Sequence, residues 1–512
     1  MLRAEVLVDR GSDLPIRSRL DQRVSVSDER SQLERLLAPV TPVPVVESFH
    51  QGGDPGRSSG TITCHVGGGG PVWLHGSDWR IFARPSRGHS RTPGSDFARF
   101  TLSDGAIVHA TSNEGGKSVS IPFSLSEAYD NYVSEAWRVA TRTSQLPPRL
   151  LDAFYRAKPL IPRRLQLAAR RLLVRRQHAP EFPTWPLDES IVRLLGLYAH
   201  SALLVTGRSE LSFRWFWPQD RAAALILTHD VETRDGLRLA VELADLEQDL
   251  GFRSSFNIGG WYRIDSGIVR ELSDRGFEIG LHGVRHDRSL FRSRAEFEAQ
   301  HGALARAAAE LHAEGFRSPS TFRVFDWLAE LPVAYDASLP HSDPFEPQPG
   351  GCCSLWPFFI GPVVELPYTL PQDHTLFTLL KARSISLWLE QAERIERHHG
   401  LIHCVSHPDR GYLGDKEKRA LYAEFLRAMA ERPGLWRALP RDVARWWRLR
   451  DQSTDIQAPI ARGVALSGER AGDVVFEGVP TATTESDLAR DLAKRLEDVG
   501  APKEESARIV PP

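Results

Sequence analysis

Leu225-Ile226-Leu227-Thr228-His229-Asp230-Val231-Glu232 and, farther along, Glu278-Ile279-Gly280-Leu281-His282-Gly283-Val284-Arg285-His286 are the stretches that decide how this chain reads. A short apolar run bounded by polar residues reads as a buried parallel strand. Side chains two apart on a strand share a face, so Asp230 and Glu232 look the same way while the chain stays extended. His282 and His286 are four apart, which lets two imidazoles meet one point from a helical turn or a compact loop. Two imidazoles and a carboxylate, with a position left for water, make the ligand set of a hydrolytic zinc site. Each feature also has a plainer reading: an Asp after a buried strand caps the next helix, and a His pair at this spacing lies on a solvated helix face. Joint placement favours the site, because both features follow apolar runs one strand–helix unit apart. A parallel α/β sheet then puts both at its C-terminal edge.

The 512 residues are 41% hydrophobic and 25% charged, an ordinary globular composition with room for about two to four domains. A net charge of -2 gives no electrostatic footprint for nucleic acid. Met1-Leu2-Arg3-Ala4-Glu5-Val6-Leu7-Val8-Asp9 lacks the apolar core of a secretory signal, and no stretch is long enough to span a bilayer, so a cytoplasmic location is expected. Cys64, Cys352, Cys353 and Cys404 form no spaced framework, and the adjacent pair is poorly placed for a structural disulfide.

Residues 1–123 read as a β-rich region, with runs such as Thr61–Val66 and Val72–His75 separated by Gly67–Gly70. That glycine run reads as a turn rather than a phosphate cradle, since no Lys-Ser/Thr follows it. Residues 124–215 read as a helical accessory region. Within it, Arg163–His178 forms a basic helix whose Leu165, Ala168, Ala169, Leu172 and Leu173 make an apolar stripe. Covering a neighbouring domain is the favoured role for it, and weak association with an anionic membrane or polysaccharide surface is the other. From 220 to 450 strands alternate with helices near Leu237–Leu250, Ile268–Asp274 and Ala295–Glu314, which argues for a parallel sheet or barrel. Residues 451–512 read as a small extension, with a β-like piece at Gly463–Gly478, a short amphipathic helix at Glu485–Val499 and a polar tail.

The order of these pieces resembles the polysaccharide deacetylase family, whose catalytic unit is the NodB homology domain, over residues 220–450. Thr228-His229-Asp230 is similar to its first motif, a strand ending Thr-Phe-Asp-Asp-Gly. His282-Gly283-Val284-Arg285-His286 resembles the second, His-Ser/Thr-x-x-His, and Arg317-Ser318-Pro319 the third, Arg-x-Pro. His407, at the end of the late run Leu401–Ser406, resembles the family's last histidine. Two positions depart from the pattern. Val231 replaces the second aspartate, with Glu232 fitting the Asp-x-Glu spacing of some relatives, and Gly283 stands where a hydroxyl is usual. The resemblance implies an α/β fold, an incomplete (β/α) barrel one unit short of the eight-unit form; the residues on either side of it read as a mixed α+β N-terminal domain and a short C-terminal extension. It also implies a divalent metal, zinc above all, held by Glu232, His282 and His286, and an N-acetylated sugar or polysaccharide as substrate.

Amide hydrolysis needs an activated water, and a bound zinc brings a water's pKa to about 7. Asp230 would take that water's proton, His407 would protonate the leaving amine, and Arg317 would orient and charge-stabilise Asp230. Whether Asp230 or Glu232 is the metal carboxylate stays open. His403 competes with His407 but lies deeper in an apolar run, where a core role is expected. Trp327, Trp356 and Phe358 are candidates to stack on a sugar, although aromatic residues more often fill cores, and Asp373 and His374 are candidates for the site mouth. The expectation is a metal-dependent N-deacetylase acting on an amino sugar or polysaccharide precursor. The alternatives are an amidohydrolase on a non-sugar amide and a non-catalytic carbohydrate-binding barrel.

Overall fold

The computed structural model of the chain describes residues 31–37, 39, 43, 45–49, 60–77, 79–87, 94–113, 115, 117–139, 170–171, 181–452, 462–466 and 474–478. Before residue 124 the chain builds one seven-stranded sheet from β1 (Val45–Phe49), β2 (Thr61–Val66), β3 (Val72–His75), β4 (Arg80–Ala83), β5 (Gly94–Leu102), β6 (Ile107–Asn113) and β7 (Ser118–Ile121), ordered β1-β2-β7-β6-β5-β3-β4. Ile62, Cys64 and Val66 alternate inward along β2, the period-two burial of a half-covered strand. Helices Leu125–Val133 and Ser190–Thr206 follow, and then β8 (Glu210–Arg214). The basic Arg163–His178 stretch lies outside the described residues except for Arg170 and Arg171. Those two donate to the carbonyl oxygens of Phe345 and Thr378.

The second sheet is the barrel. It comprises β9 (Ala223–Val231), β10 (Ser255–Ile258), β11 (Glu278–Leu281), β12 (Gly315–Phe316), β13 (Tyr335–Asp336), β14 (Phe358–Ile360), β15 (Val363–Glu365), β16 (Leu401–Ser406) and β17 (Leu435–Arg437). Its order is β14-β15-β13-β12-β11-β10-β9-β16, parallel throughout except for the β14–β15 hairpin, and β17 extends the lower end of β9. All nine residues of β9 are buried, as a strand with both faces covered requires. Seven parallel strands thus form the ring, one short of eight, and β15 and β16 are not paired in the sheet. There Thr369 crosses the seam: its hydroxyl donates to Leu401 O at 2.7 Å and accepts from His403 N at 2.9 Å. The fold is therefore the incomplete (β/α) barrel that the strand–helix rhythm and the motif order imply.

The crossover helices begin and end where their caps dictate. Thr233, rather than Asp230, caps the helix Arg234–Asp249 by accepting from Gly236 N, so it starts earlier than the expected Leu237. Ser293 caps Arg294–Leu311, which stops at His312 in the left-handed conformation and not at Glu314. The β-like Gly463–Gly478 piece is two strands, β18 (Arg462–Leu466) and β19 (Val475–Gly478), and β18 pairs antiparallel with β8. The expected Glu485–Val499 helix lies outside the described residues. All four cysteines are buried and free. Among the described residues no helix is long and apolar enough to cross a membrane.

Candidate metal centre

β9 delivers its acids at the strand's C-terminal end, and β11 delivers its histidines one strand beyond β10. Glu232, His282 and His286 each offer one ligand atom, and these atoms all lie within 4.8 Å of one another. Glu232 Oε1 is 2.8 Å from His286 Nε2. Asp230 stands outside this trio, so Glu232 is the carboxylate placed with the imidazoles. The two histidines lie on a compact loop, not a helical turn. Gly283 sits there at φ +85, in the left-handed region that favours glycine, and a Cβ would meet Pro319 Cδ at 3.2 Å. The missing hydroxyl at 283 therefore has a backbone cause that the sequence alone did not reveal.

The donor chemistry fits a divalent ion. His282 Nδ1 lies 2.9 Å from Arg317 O, and a carbonyl can only accept, so Nδ1 carries the proton and Nε2 presents its lone pair. His282 Nε2 is buried and has no hydrogen-bond partner. Burial, against the pull of Asp230, lowers the ring's pKa to about 4, so it is neutral at pH 7. Burial opposes charge on Glu232 as well, but the bond to His286 and the His286 and His407 charges hold its carboxyl well below the usual range. An ionised carboxylate beside a neutral, orphaned imidazole nitrogen and a second histidine is a mixed nitrogen–oxygen set suited to zinc and similar ions.

The loop carrying Glu232 is tied down by Asp409, which accepts from Glu232 N at 3.0 Å and from the Thr233 hydroxyl. Gly236 leaves room for that carboxylate, since a Cβ would stand 2.3 Å from Asp409 Oδ1. Trp261 closes another side. Its ring centroid is 5.5 Å from that of His282 and 4.9 Å from that of His286, and its Nε1–H donates to Glu232 O at 2.9 Å. Neither Asp409 nor Trp261 follows from the motifs, because loop contacts leave no periodic trace.

Asp230 is buried and accepts from Asn257 Nδ2 at 2.8 Å. Burial works against its charge, but in the acid range where the carboxyl titrates, the protonated His282 ring, the Arg317 and His407 charges and the Asn257 bond more than offset it, so the carboxyl titrates below its ordinary value. Arg317, fully buried, acts on Asp230 through its charge alone. Its hydrogen bonds run from Nη2 to Thr228 Oγ1 and His403 Nε2, both at 3.2 Å, which corrects the expectation that it orients Asp230. The reason is geometric: Arg317 and His403 meet at Thr228, two residues before Asp230 on β9. His403 is itself fully buried and holds the carbonyls of Leu366 and Pro367 at 3.2 Å through Nδ1, as expected of a core histidine.

His407 approaches from β16, with Nε2 3.9 Å from Glu232 Oε1. Asp373 grips it twice, accepting from His407 N at 3.0 Å and sharing the Nδ1 proton at 2.7 Å. Burial alone would lower this ring's pKa, yet Asp373, with Glu232 and Asp230 behind it, raises it to about 10. His407 is therefore an imidazolium at neutral pH, and Tyr412 stacks on it at 4.6 Å. His374 bonds Tyr412 at 3.1 Å. Of the aromatic candidates, Trp356 and Phe358 are core residues and Trp327 packs between Phe291 and Phe297, so none offers a platform beside the acids.

No protein-family model matches the chain, and no curated protein matches it. Solved structures do match part of the chain. A Mycobacterium smegmatis protein described as a polysaccharide deacetylase is 19% identical with a TM-score of 0.39, over 47% of this chain and 95% of that one. The Puue allantoinase is 16% identical with a TM-score of 0.38, over 46% of this chain and 92% of that one. A family 4 carbohydrate esterase from Streptomyces lividans is 14% identical with a TM-score of 0.29, over 42% of this chain and 92% of that one.

Proposed function

We propose that the chain is a metal-dependent hydrolase that removes acetyl groups from the nitrogen of an amino sugar or polysaccharide precursor. One observation carries the reading: the Glu232, His282 and His286 ligand atoms converge at a strand-end site where an ionised Asp230 and an imidazolium His407 both bear on them. A divalent ion held by that trio would supply Lewis acidity, making water a better nucleophile and polarising the acyl carbonyl. Asp230 accepts the proton of the attacking water, since its carboxylate is ionised at neutral pH. His407 hands its Nε2 proton to the departing amine nitrogen while Asp373 holds Nδ1 and steadies the charge. Trp261 covers one side of the trio and limits water there.

Burial of Trp356 and Phe358 favours a second reading, in which the same groups open a non-sugar amide. The deciding experiment is metal content of the purified protein beside His282→Ala and Glu232→Ala, followed by acetate release from N-acetylated oligosaccharides. About one equivalent of zinc or a similar ion, lost in both variants, is expected. Metal-free wild-type protein after reconstitution would end the hydrolase reading and leave a binding barrel. Metal without acetate release, but with turnover of a cyclic amide, would move the substrate to the second class.

A further inference from the structure

Asp230, Asn257 and Gly280 form one row across three adjacent parallel strands, Asn257 being the register partner of Asp230 on β9 and of Gly280 on β11. Asn257 is 3% exposed, and its Nδ2–H donates to Asp230 Oδ1 at 2.8 Å. A carboxylate only accepts, so the amide can face Asp230 in one orientation, with its own Oδ1 turned away. That oxygen lies against Gly280. A Cβ at 280 would stand 2.1 Å from Asn257 Oδ1 and 3.2 Å from the Ser255 hydroxyl, closer than real atoms approach in the first case. Gly280 is not among the glycines with positive φ, so the position calls for glycine by space and not by backbone conformation.

We propose that Asn257 is the positioning residue for Asp230 and that Gly280 is glycine in order to seat it. The inference rests on the hydrolase reading for its kinetic consequence, since it takes Asp230 as the base. A terminal carboxylate torsion is broad and two-fold, so an Asp held by charge alone would sample several orientations. Asn257 pins Oδ1 and leaves Oδ2 to receive the proton. Arg317, which bonds Thr228 and His403, supplies field but no direction.

The test is a double-variant cycle with Asn257→Ala, Gly280→Ala and both together, each loaded with cobalt. Penta-N-acetylchitopentaose and 4-nitrophenyl acetate serve as probes, and crystal structures of the single variants as the second readout. Each single change is expected to lower kcat by about 10- to 100-fold, as loss of an outer-shell hydrogen bond does, with KM nearly constant and cobalt stoichiometry unchanged. The pair is expected to fall no further than Asn257→Ala alone, because Gly280 acts only through the amide. Full kcat in Asn257→Ala, or losses that multiply in the pair, would overturn the inference. If wild-type protein hydrolyses neither probe, the deacetylase reading fails separately and crystallography decides: an Asp230 carboxylate unmoved in Asn257→Ala overturns the positioning role.

Discussion

Two opposing effects act on the His407 ring, and their balance sets its chemistry. Burial favours the neutral imidazole, and the Asp373 carboxylate overrides it, lifting the pKa from 6.5 to about 10. A base raised in the folded state adds stability that is complete below about pH 6.5 and drains away as pH rises to about 10, at no more than about 1.4 kcal/mol per pH unit. Metal-free protein should therefore lose thermal stability between pH 7 and 10. In Asp373→Asn the ring loses its chief counter-charge, so that decline should flatten. The alkaline limb of kcat against pH in the metal-loaded protein should move to lower pH. A limb that stays in place would separate His407 from the proton delivered to the amine. The sequence offered Asp373 as a candidate for the site mouth but not as the buried partner of His407, since 34 positions separate the two and no spacing rule joins them. His282, His286 and Glu232 were legible because a local motif carries them.

At the scale of elements, the strand–helix alternation and the apolar runs of β9, β11 and β16 declared the barrel, since two-sided burial writes itself as unbroken hydrophobic sequence. Helix limits were less legible. Thr233 and Ser293 bond backbone amides that composition does not mark, and each moved a helix start. The seam between β15 and β16 was hidden as well, because the Thr369 hydroxyl and two backbone bonds to His403 O, rather than a strand ladder, cross it. Thr369 is buried and satisfies both Leu401 O and His403 N. Thr369→Val keeps the shape and strands two buried backbone groups, which should cost roughly 2 to 4 kcal/mol in urea denaturation. It should also loosen His403, and through it the Arg317 whose charge helps keep Asp230 ionised. A loss under about 0.5 kcal/mol, the range of a neutral surface change, would mean that the ring closes without this residue.

For the whole molecule, nothing in composition or periodicity says where the N-terminal half rests, because such contacts join residues hundreds of positions apart. Several arginines bridge that attachment. Arg323, on a barrel loop, forms a buried bidentate pair with Glu135 at 2.8 and 2.5 Å, and Arg35 grips Asp451 at 3.0 and 2.5 Å. Arg450, 1% exposed on the helix Pro440–Gln452, reaches farther still. Its guanidinium donates to Trp215 O at 2.9 Å, Arg214 O at 2.7 Å, Leu36 O at 2.8 Å and Arg35 O at 3.1 Å. Three of its partners belong to separate pieces: the end of the helix Gln32–Leu37, the end of β8, and the segment leading into the barrel. A fixed fork of five donors suits such a junction, where a point charge would not. Arg450→Met fills much of the volume but leaves several buried carbonyls without donors, at about 1 to 3 kcal/mol each. The variant should therefore lose at least about 3 kcal/mol, with unfolding splitting into two transitions as the N-terminal half releases before the barrel. Calorimetry of wild type and variant distinguishes the outcomes: one unshifted cooperative transition in Arg450→Met would show that the halves are held by apolar packing and not by this junction.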